Sequence, residues 1–489
     1  MYMSSSRLSS WLPWGAMALI ILAFCTYFRR YPTGDDAWFA EESYWLWKEG
    51  KVRSEFFRGL LHWEEHYLVS HKLFIAFGAL LGGVLLDSLY TSKLSGLLFF
   101  GVIVVLLLIE TQSKTPQKNG FWGVLILIFG NTLMTQMSFE NRPEMMITAF
   151  GLTSFYSLRR MNKNVFMVPL AGLFAGLAVL THLNGIIFLG AGFLTLFLTR
   201  HYQKSFVFGI VGALTASLYF YDILQEPDGL AKWWFQFRND PATQNAFGWM
   251  AKLKVLASYP LIFVESPEQL CTTLLLIAVG WFRRKDIRHT DRILLLYSLS
   301  LVALFWLITK RASAIYQVMF VPFMILLIYE WLQSKPLPRI PLYLKVMTVL
   351  YLIVGVVGNG QVIGRNLSGY LPQQYAQLRP QLPQKGTGLV PITFYFNEYE
   401  HFDKLLCHTN FELQMRHQQQ SKPWTSEKFG AWAQQHKASF IVLDYKTDRA
   451  DYYPSQGATR FANYQLVFAD KQFSVYVLNP QIATHLPKV

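Results

Sequence analysis

Long stretches without a single charged residue recur along three quarters of this chain, and they limit its fold more than any other feature. They are Trp11–Phe28, Leu94–Ile109, Phe121–Phe139, Met145–Leu158, Val165–Leu180, Gly185–Thr199, Ser205–Tyr221, Gln269–Phe282, Ile293–Thr309, Ala312–Tyr329 and Val346–Ile363. A bilayer core needs about 20 apolar helical residues, so several of these eleven runs must recruit neighbours to span one. The runs are continuous rather than alternating, which argues against a β-barrel. The expected fold is a polytopic all-α membrane protein of about eleven transmembrane helices.

Composition agrees. Of 489 residues, 52% are hydrophobic and only 15% charged, against about 25% charged in soluble domains. This excludes a water-soluble enzyme and a disordered chain. The net charge of +14 places basic residues in cytosolic loops and at lipid head groups. No basic-aromatic binding module accompanies it, so nucleic acid is not an expected partner. Cys25, Cys271 and Cys407 have neither metal nor redox spacing. Residues 1–28 resemble a signal peptide without a small-x-small cleavage site and read as an uncleaved first span.

The loops alternate in charge. Lys114 and Lys118, then Arg159, Arg160 and Lys163, Arg200 and Lys204, the cluster Arg283–Arg292, and Lys335 with Arg339 form one set. The intervening short loops hold only Arg142, Lys310 and Arg311. The positive-inside rule puts the first set and the N-terminus in the cytosol and the tail outside, in keeping with a bacterial inner membrane. Leu73–Leu86 is also charge-free but only 14 residues long. Its length favours a position along the interface, whereas Arg29–Arg30 speaks for a span.

The expected domains are residues 1–363, with external loops 29–93 and 222–268, and a C-terminal external α/β domain at 364–489. The tail is rich in Gln, Pro and charge. Gly388–Phe396, Ser439–Asp444, Tyr464–Phe468 and Phe473–Leu478 read as strands. Glu427–Lys437 reads as a helix capped by Ser426. No internal repeat is visible.

Gly34-Asp35-Asp36-Ala37 follows the first span and leads into the aromatic, acidic stretch Glu41-Glu42-Ser43-Tyr44-Trp45-Leu46-Trp47. A carboxylate at a membrane edge suits a general base for a hydroxyl acceptor or a metal ligand. Two adjacent acids point different ways, so one acts while the other orients. The plain alternative is a helix-capping turn. Glu64, Glu65 and His66 are metal-capable or acceptor-facing candidates without zincin spacing, and a divalent metal is a candidate cofactor. Arg142, Lys310 and Arg311, with Tyr316 nearby, are external cations suited to the phosphate of a lipid-linked ligand; head-group snorkelling is the alternative. His182 stands between two runs. Trp233–Arg238 reads as an interfacial belt.

Together these features resemble the lipid-linked-sugar glycosyltransferases of the GT-C superfamily, in its protein mannosyltransferase and aminoarabinose transferase branch. The likeness rests on Gly34–Ala37 with the following helix to Lys48-Glu49-Gly50, on Gly172–His182 as the small-residue span, and on Lys310–Pro322 with Tyr316. It covers residues 11–332. Asp36 stands where that branch has Glu and His182 where Lys is commoner, and Glu64-Glu65-His66 lacks the following Lys-Pro-Pro.

The resemblance implies an interfacial Leu73–Leu86, Asp35 outside, and inverting transfer of a hexose or pentose from a polyprenyl-phosphate donor to an unknown acceptor, be it lipid, glycan or protein. Asp35 would be the base, with Asp36 beside it, and Arg142, Lys310, Arg311 and Tyr316 would hold the donor phosphate. The rivals are a transporter or flippase of lipid-linked sugars and a receptor or scaffold displaying the tail. Charges are nearly absent from mid-span, where coupling-ion sites sit.

Overall fold

The computed structural model describes residues 5–29, 32–85, 88–112, 118–241, 248–309, 313–333, 340–365, 371–420, 422–446 and 449–478. The first long helix, α1 (Ser5–Arg29), leads to α2 (Gly34–Glu49), α3 (Lys72–Leu85) and α4 (Leu89–Gln112). There follow α5 (Lys118–Phe129), α6 (Thr132–Met137), α7 (Glu144–Arg159), α8 (Met167–Thr181), α9 (Ile186–Leu198) and α10 (Tyr202–Ser217). Two shorter helices, α11 (Gly229–Asn239) and α12 (Trp249–Ser258), precede α13 (Pro267–Phe282), α14 (Arg292–Ile308), α15 (Val321–Gln333) and α16 (Leu342–Arg365).

Every one of the eleven apolar runs falls on helix, with two internal corrections. Phe121–Phe139 breaks between α5 and α6. Asn131 starts α6 by accepting the Met134 N–H at 2.9 Å, and its amide donates to Thr272 at 3.0 Å. Ala312–Tyr329 divides into a 3₁₀ stretch, Ala314–Met319, and α15. Pro322 has no N–H to give, so it is accommodated in the first turn of α15 and not inside a longer helix. Among the described residues, two helices are by themselves long and apolar enough to cross a membrane, Leu89–Thr111 and Leu342–Gly364. A third candidate is the pair Trp249–Phe263 and Pro267–Phe282, bent by 79°. The 14 residues of α3 span about 21 Å, short of a ~30 Å bilayer core.

The apolar helices share one core built from α1, α4–α10 and α13–α16. At one end Arg159 ties four of them together. It bonds Glu110 of α4 and, at 2.5 Å, Asp291 at the cap of α14, and lies 4.0 Å from Glu330 of α15. The cytosol-assigned arginines at this place are therefore internal ties rather than lipid contacts.

The tail begins with α17 (Leu371–Leu378) and β1 (Thr387–Val390), then the single turn α18 (Tyr395–Glu398), β2 (Lys404–Cys407), α19 (His408–His417), α20 (Ser426–Gln435), β3 (Ala438–Asp444), β4 (Arg460–Phe461), β5 (Tyr464–Ala469) and β6 (Phe473–Leu478). The sheet order is β2-β1-β3-β6-β5-β4; β1 runs parallel to β2 and β3, and the remaining pairs are antiparallel. The expected strand Gly388–Phe396 stops at Val390, because Pro391 cannot continue the ladder. The cap of α20 is Thr425, which accepts the Lys428 N–H at 3.3 Å, not Ser426.

Alternate residues serve two faces of this sheet. Leu389, Leu406, Ile441 and Leu443 pack against α19 and α20. Val390, Leu405, Phe440 and Val442 face the opposite way, into a core that also contains Ala37 and Phe39 of α2 and Phe56, Phe57 and Trp63 of the following loop. The tail and the first loop are thus folded around one another.

Candidate active site

The first turn of α2 separates the adjacent aspartates. Thr33 accepts the Asp36 N–H at 3.3 Å while the Asp36 carboxylate accepts the Thr33 N–H at 2.6 Å, a reciprocal capping box. The other Asp36 oxygen accepts the Asn141 N–H at 2.6 Å, and the Asn141 amide donates to the Asp36 carbonyl at 3.1 Å. Asp36 is fully buried, with both oxygens engaged. Gly50, at φ 72°, ends the helix in the left-handed conformation that glycine adopts without cost.

Asp35 points elsewhere. Its side chain is 41% exposed and accepts a hydrogen bond from the Arg142 guanidinium. Among the described residues Arg142 is its only polar partner. Arg142 also grips Glu144, the first residue of α7, through Nε at 3.2 Å and Nη2 at 2.9 Å. Burial works against the Arg142 charge, but Glu144 outweighs it and the guanidinium is held above its usual range. Burial likewise works against the Glu144 charge, and Arg142 overcomes it, so the carboxylate stays ionised. Tyr316, on the 3₁₀ stretch beside α7, is close enough to act on the Arg142 charge. Its ring packs 5.3 Å from Phe305.

Behind Glu144 lies a half-buried pair of imidazoles. His182 caps the short 3₁₀ turn Leu183–Gly185, its Nδ1 accepting the Asn184 N–H at 2.9 Å. Its ring lies 4.3 Å from that of His71. Burial lowers His182 to about 4, against the pull of Glu144, and pushes His71 well below its ordinary range, so both rings are neutral at pH 7. Next in sequence, Lys72 donates to Asp222 at 2.6 Å. Burial lowers the Lys72 pKa, with Asp222 opposing. Glu42, two turns along α2 from Asp35, is fully buried, and among the described residues neither of its oxygens has a hydrogen-bond partner. Burial, then the neighbouring Glu41, keeps it protonated.

Asp35, Arg142 and Tyr316 therefore come together although the sequence scatters them, while Asp36 is held beside them by Thr33 and Asn141. Glu64, Glu65 and His66 do not converge. Glu64 accepts the Gly59 N–H at 3.1 Å, Glu65 lies 3.6 Å from His62 at the surface, and His66 bonds Glu226 at 2.8 Å and lies 3.6 Å from Asp222. Among the described residues no group of three or more His, Cys, Asp or Glu could hold a metal ion. Glu64, Glu65 and His66 therefore do not fit as the donor set of a divalent metal. Lys310 and Arg311 lie outside the described residues.

Sequence reasoning gives no role to Lys72 and Asp222, which carry no local signal because only packing brings them together. Glu42 stands in the acidic stretch of α2 and Glu144 two residues after Arg142 at a helix start, both visible in the sequence without an assigned role.

No family model matches the sequence, and no curated protein matches it. Among solved structures, the crystal structure of ArnT from Cupriavidus metallidurans bound to undecaprenyl phosphate aligns with a TM-score of 0.65 at 13% identity, covering 97% of this chain and 99% of that one. The apo state of the same protein aligns at 0.63 and 12% identity, with the same coverage. Along nearly its whole length, the chain has the fold of ArnT.

Proposed function

We propose that this chain is an integral-membrane glycosyltransferase that moves a sugar from a polyprenyl-phosphate donor to an acceptor hydroxyl on the external face. The observation that carries the reading is the pairing of the half-exposed Asp35 carboxylate with Arg142, inside a fold like that of a protein crystallised with undecaprenyl phosphate. The apolar runs supply about eleven spans, with the N-terminus cytosolic, α3 at the interface and the tail outside.

In this reading the acceptor O–H gives its proton to Asp35 as its oxygen attacks the anomeric carbon. The bond from that carbon to the phosphate oxygen breaks, and polyprenyl phosphate leaves with inversion. The leaving group is already anionic, so it needs cations more than an acid. Arg142, anchored on Glu144 through two nitrogens, lends its remaining one to the phosphate and so releases Asp35 to act as base. Lys310, Arg311 and Tyr316 complete the phosphate site. Each well-placed donor at developing charge is worth about 3 kcal/mol. Asp36 orients its neighbour by pinning the helix start.

Lipid mass spectrometry of cells carrying wild-type or Asp35→Asn protein tests this. One lipid-linked sugar should accumulate in the mutant, and free polyprenyl phosphate should fall. A flippase would release no free polyprenyl phosphate. Wild-type lipid levels in the Asn mutant would sink the assignment.

A further inference from the structure

A second feature lies on the neighbouring face of α2. Between α2, α3 and the start of α4 is a cavity of about 330 Å³, within the range of small-ligand sites. It begins at Ala40, one turn beyond Asp36, and is bordered by Asn141, whose backbone N–H holds Asp36 and which immediately precedes Arg142. Glu400, from the tail, stands at its edge, 3.4 Å from Lys48.

Its chemistry is specific. Ser43 donates to the Phe39 carbonyl at 2.8 Å and Ser92 to the Ser88 carbonyl at 3.0 Å, so both lining residues commit their hydroxyl protons to their own helices and keep only lone pairs to offer. Trp47, 54% exposed, supplies an aromatic wall beside them. The single cation among the lining residues, Lys48, is already matched by Glu400, so the cavity is not built for phosphate. An isoprenoid chain would match the Ala, Gly and Leu of the lining but use neither hydroxyl. A pyranose or furanose ring satisfies both walls, with its C–H face on the indole and its O–H groups donating to the serines.

The glycines of α3 make the space. A Cβ at Gly78 would meet Ser43 Oγ at 2.5 Å and one at Gly83 would meet the Trp47 ring at 2.3 Å, so these two let α3 close on α2. Gly82 borders the cavity, and a Cβ there would meet nothing within 4 Å. A side chain at position 82 would extend into open cavity without disturbing the helix contact.

We infer that this cavity receives a saccharide ring of the acceptor and delivers its hydroxyl toward Asp35. The inference rests on the glycosyltransferase reading and deepens it, naming a sugar-bearing acceptor and the side of α2 on which it sits.

The test compares Gly82→Trp, Gly82→Leu and Trp47→Ala with Asp35→Asn and with Gly101→Trp, a control glycine that also has open space. Lipid extracts of cells expressing each full-length variant are profiled for lipid-linked sugar. Binding of undecaprenyl phosphate to the purified proteins is measured by native mass spectrometry. The cavity variants should accumulate lipid-linked sugar as Asp35→Asn does, with transfer lowered about tenfold or more. Their undecaprenyl phosphate binding should stay within about twofold of wild type. Trp47→Phe should restore transfer, and Gly101→Trp should match wild type. If only Asp35→Asn accumulates donor, the inference is overturned and the glycosyltransferase reading stands. Loss of undecaprenyl phosphate binding in Gly82→Leu and Trp47→Ala would assign the cavity to the donor and also overturn it. Should no variant, Asp35→Asn included, change any lipid-linked sugar, both readings fail.

Discussion

Asp35 accepts a hydrogen bond from the guanidinium of Arg142, a residue 107 positions further along the chain. The contact joins the start of α2 to the start of α7, and Glu144 fixes the arginine from behind. A carboxylate and a cation are thereby held as one unit, with the carboxylate half open to solvent.

The adjacent aspartates should separate in mutants. Asp35→Asn should abolish transfer and leave thermal stability near wild type, because the side chain is half-exposed. Asp36→Ala removes the helix cap and strands the Asn141 N–H, and should cost about 2–4 kcal/mol. Thermal melts of the two proteins in detergent check this; equal destabilisation would contradict the division of roles.

Arg142 neutralises a buried acid. Arg142→Ala leaves the Glu144 charge without its partner and should destabilise by about 3 kcal/mol or more. Adding Glu144→Gln should recover most of that stability without recovering transfer. A double variant that regains activity would show that Arg142 serves only to balance Glu144.

Glu41 provides a pH signature. Its carboxylate sits fully buried among the Ser54 hydroxyl, the Glu55 and Phe56 N–H groups and the Tyr399 hydroxyl of the tail, at 2.5, 2.8, 3.1 and 3.1 Å. Burial raises it to about 7, against those hydrogen bonds. The unfolded chain releases this proton near the ordinary value of 4.5, so between pH 4.5 and 7 the folded state binds more protons. Stability from this group is complete below the lower value and is lost as pH rises through the upper one. Glu41→Gln should therefore gain on wild type by up to roughly 3 kcal/mol between pH 4 and 8. Parallel melting curves of the two proteins across that range measure the difference; a constant gap would refute it.

Gln236 fastens α11 to the first loop. It accepts the Leu68 N–H at 2.8 Å and donates to the Leu61 and His66 carbonyls at 3.2 and 2.8 Å. Gln236→Ala strands a buried N–H and should cost about 1–3 kcal/mol. Faster amide exchange confined to residues 61–68 is the expected readout, and unchanged exchange there would refute the latch.

The sequence alone determined the helical architecture, its charge alternation, four of the six strands (one of them read too long) and the acidic turn that begins α2. Apolar runs and punctuating residues act locally, so local reading finds them. It also singled out Asp35, Arg142 and Tyr316 as candidates, because a carboxylate or a cation beside an apolar run is conspicuous. Tertiary structure decided what those residues do to one another. Asp36 became a cap rather than a partner in the site because Asn141 closes on it. Glu64, Glu65 and His66, consecutive in the chain, diverged because an irregular loop turns each side chain to a different neighbour. The tail reads in sequence as a separate unit, yet it shares a core with α2, since the second face of its sheet needs an apolar partner and the first loop supplies Phe56, Phe57 and Trp63. Such pairings depend on distance in space, which no local pattern in the sequence encodes.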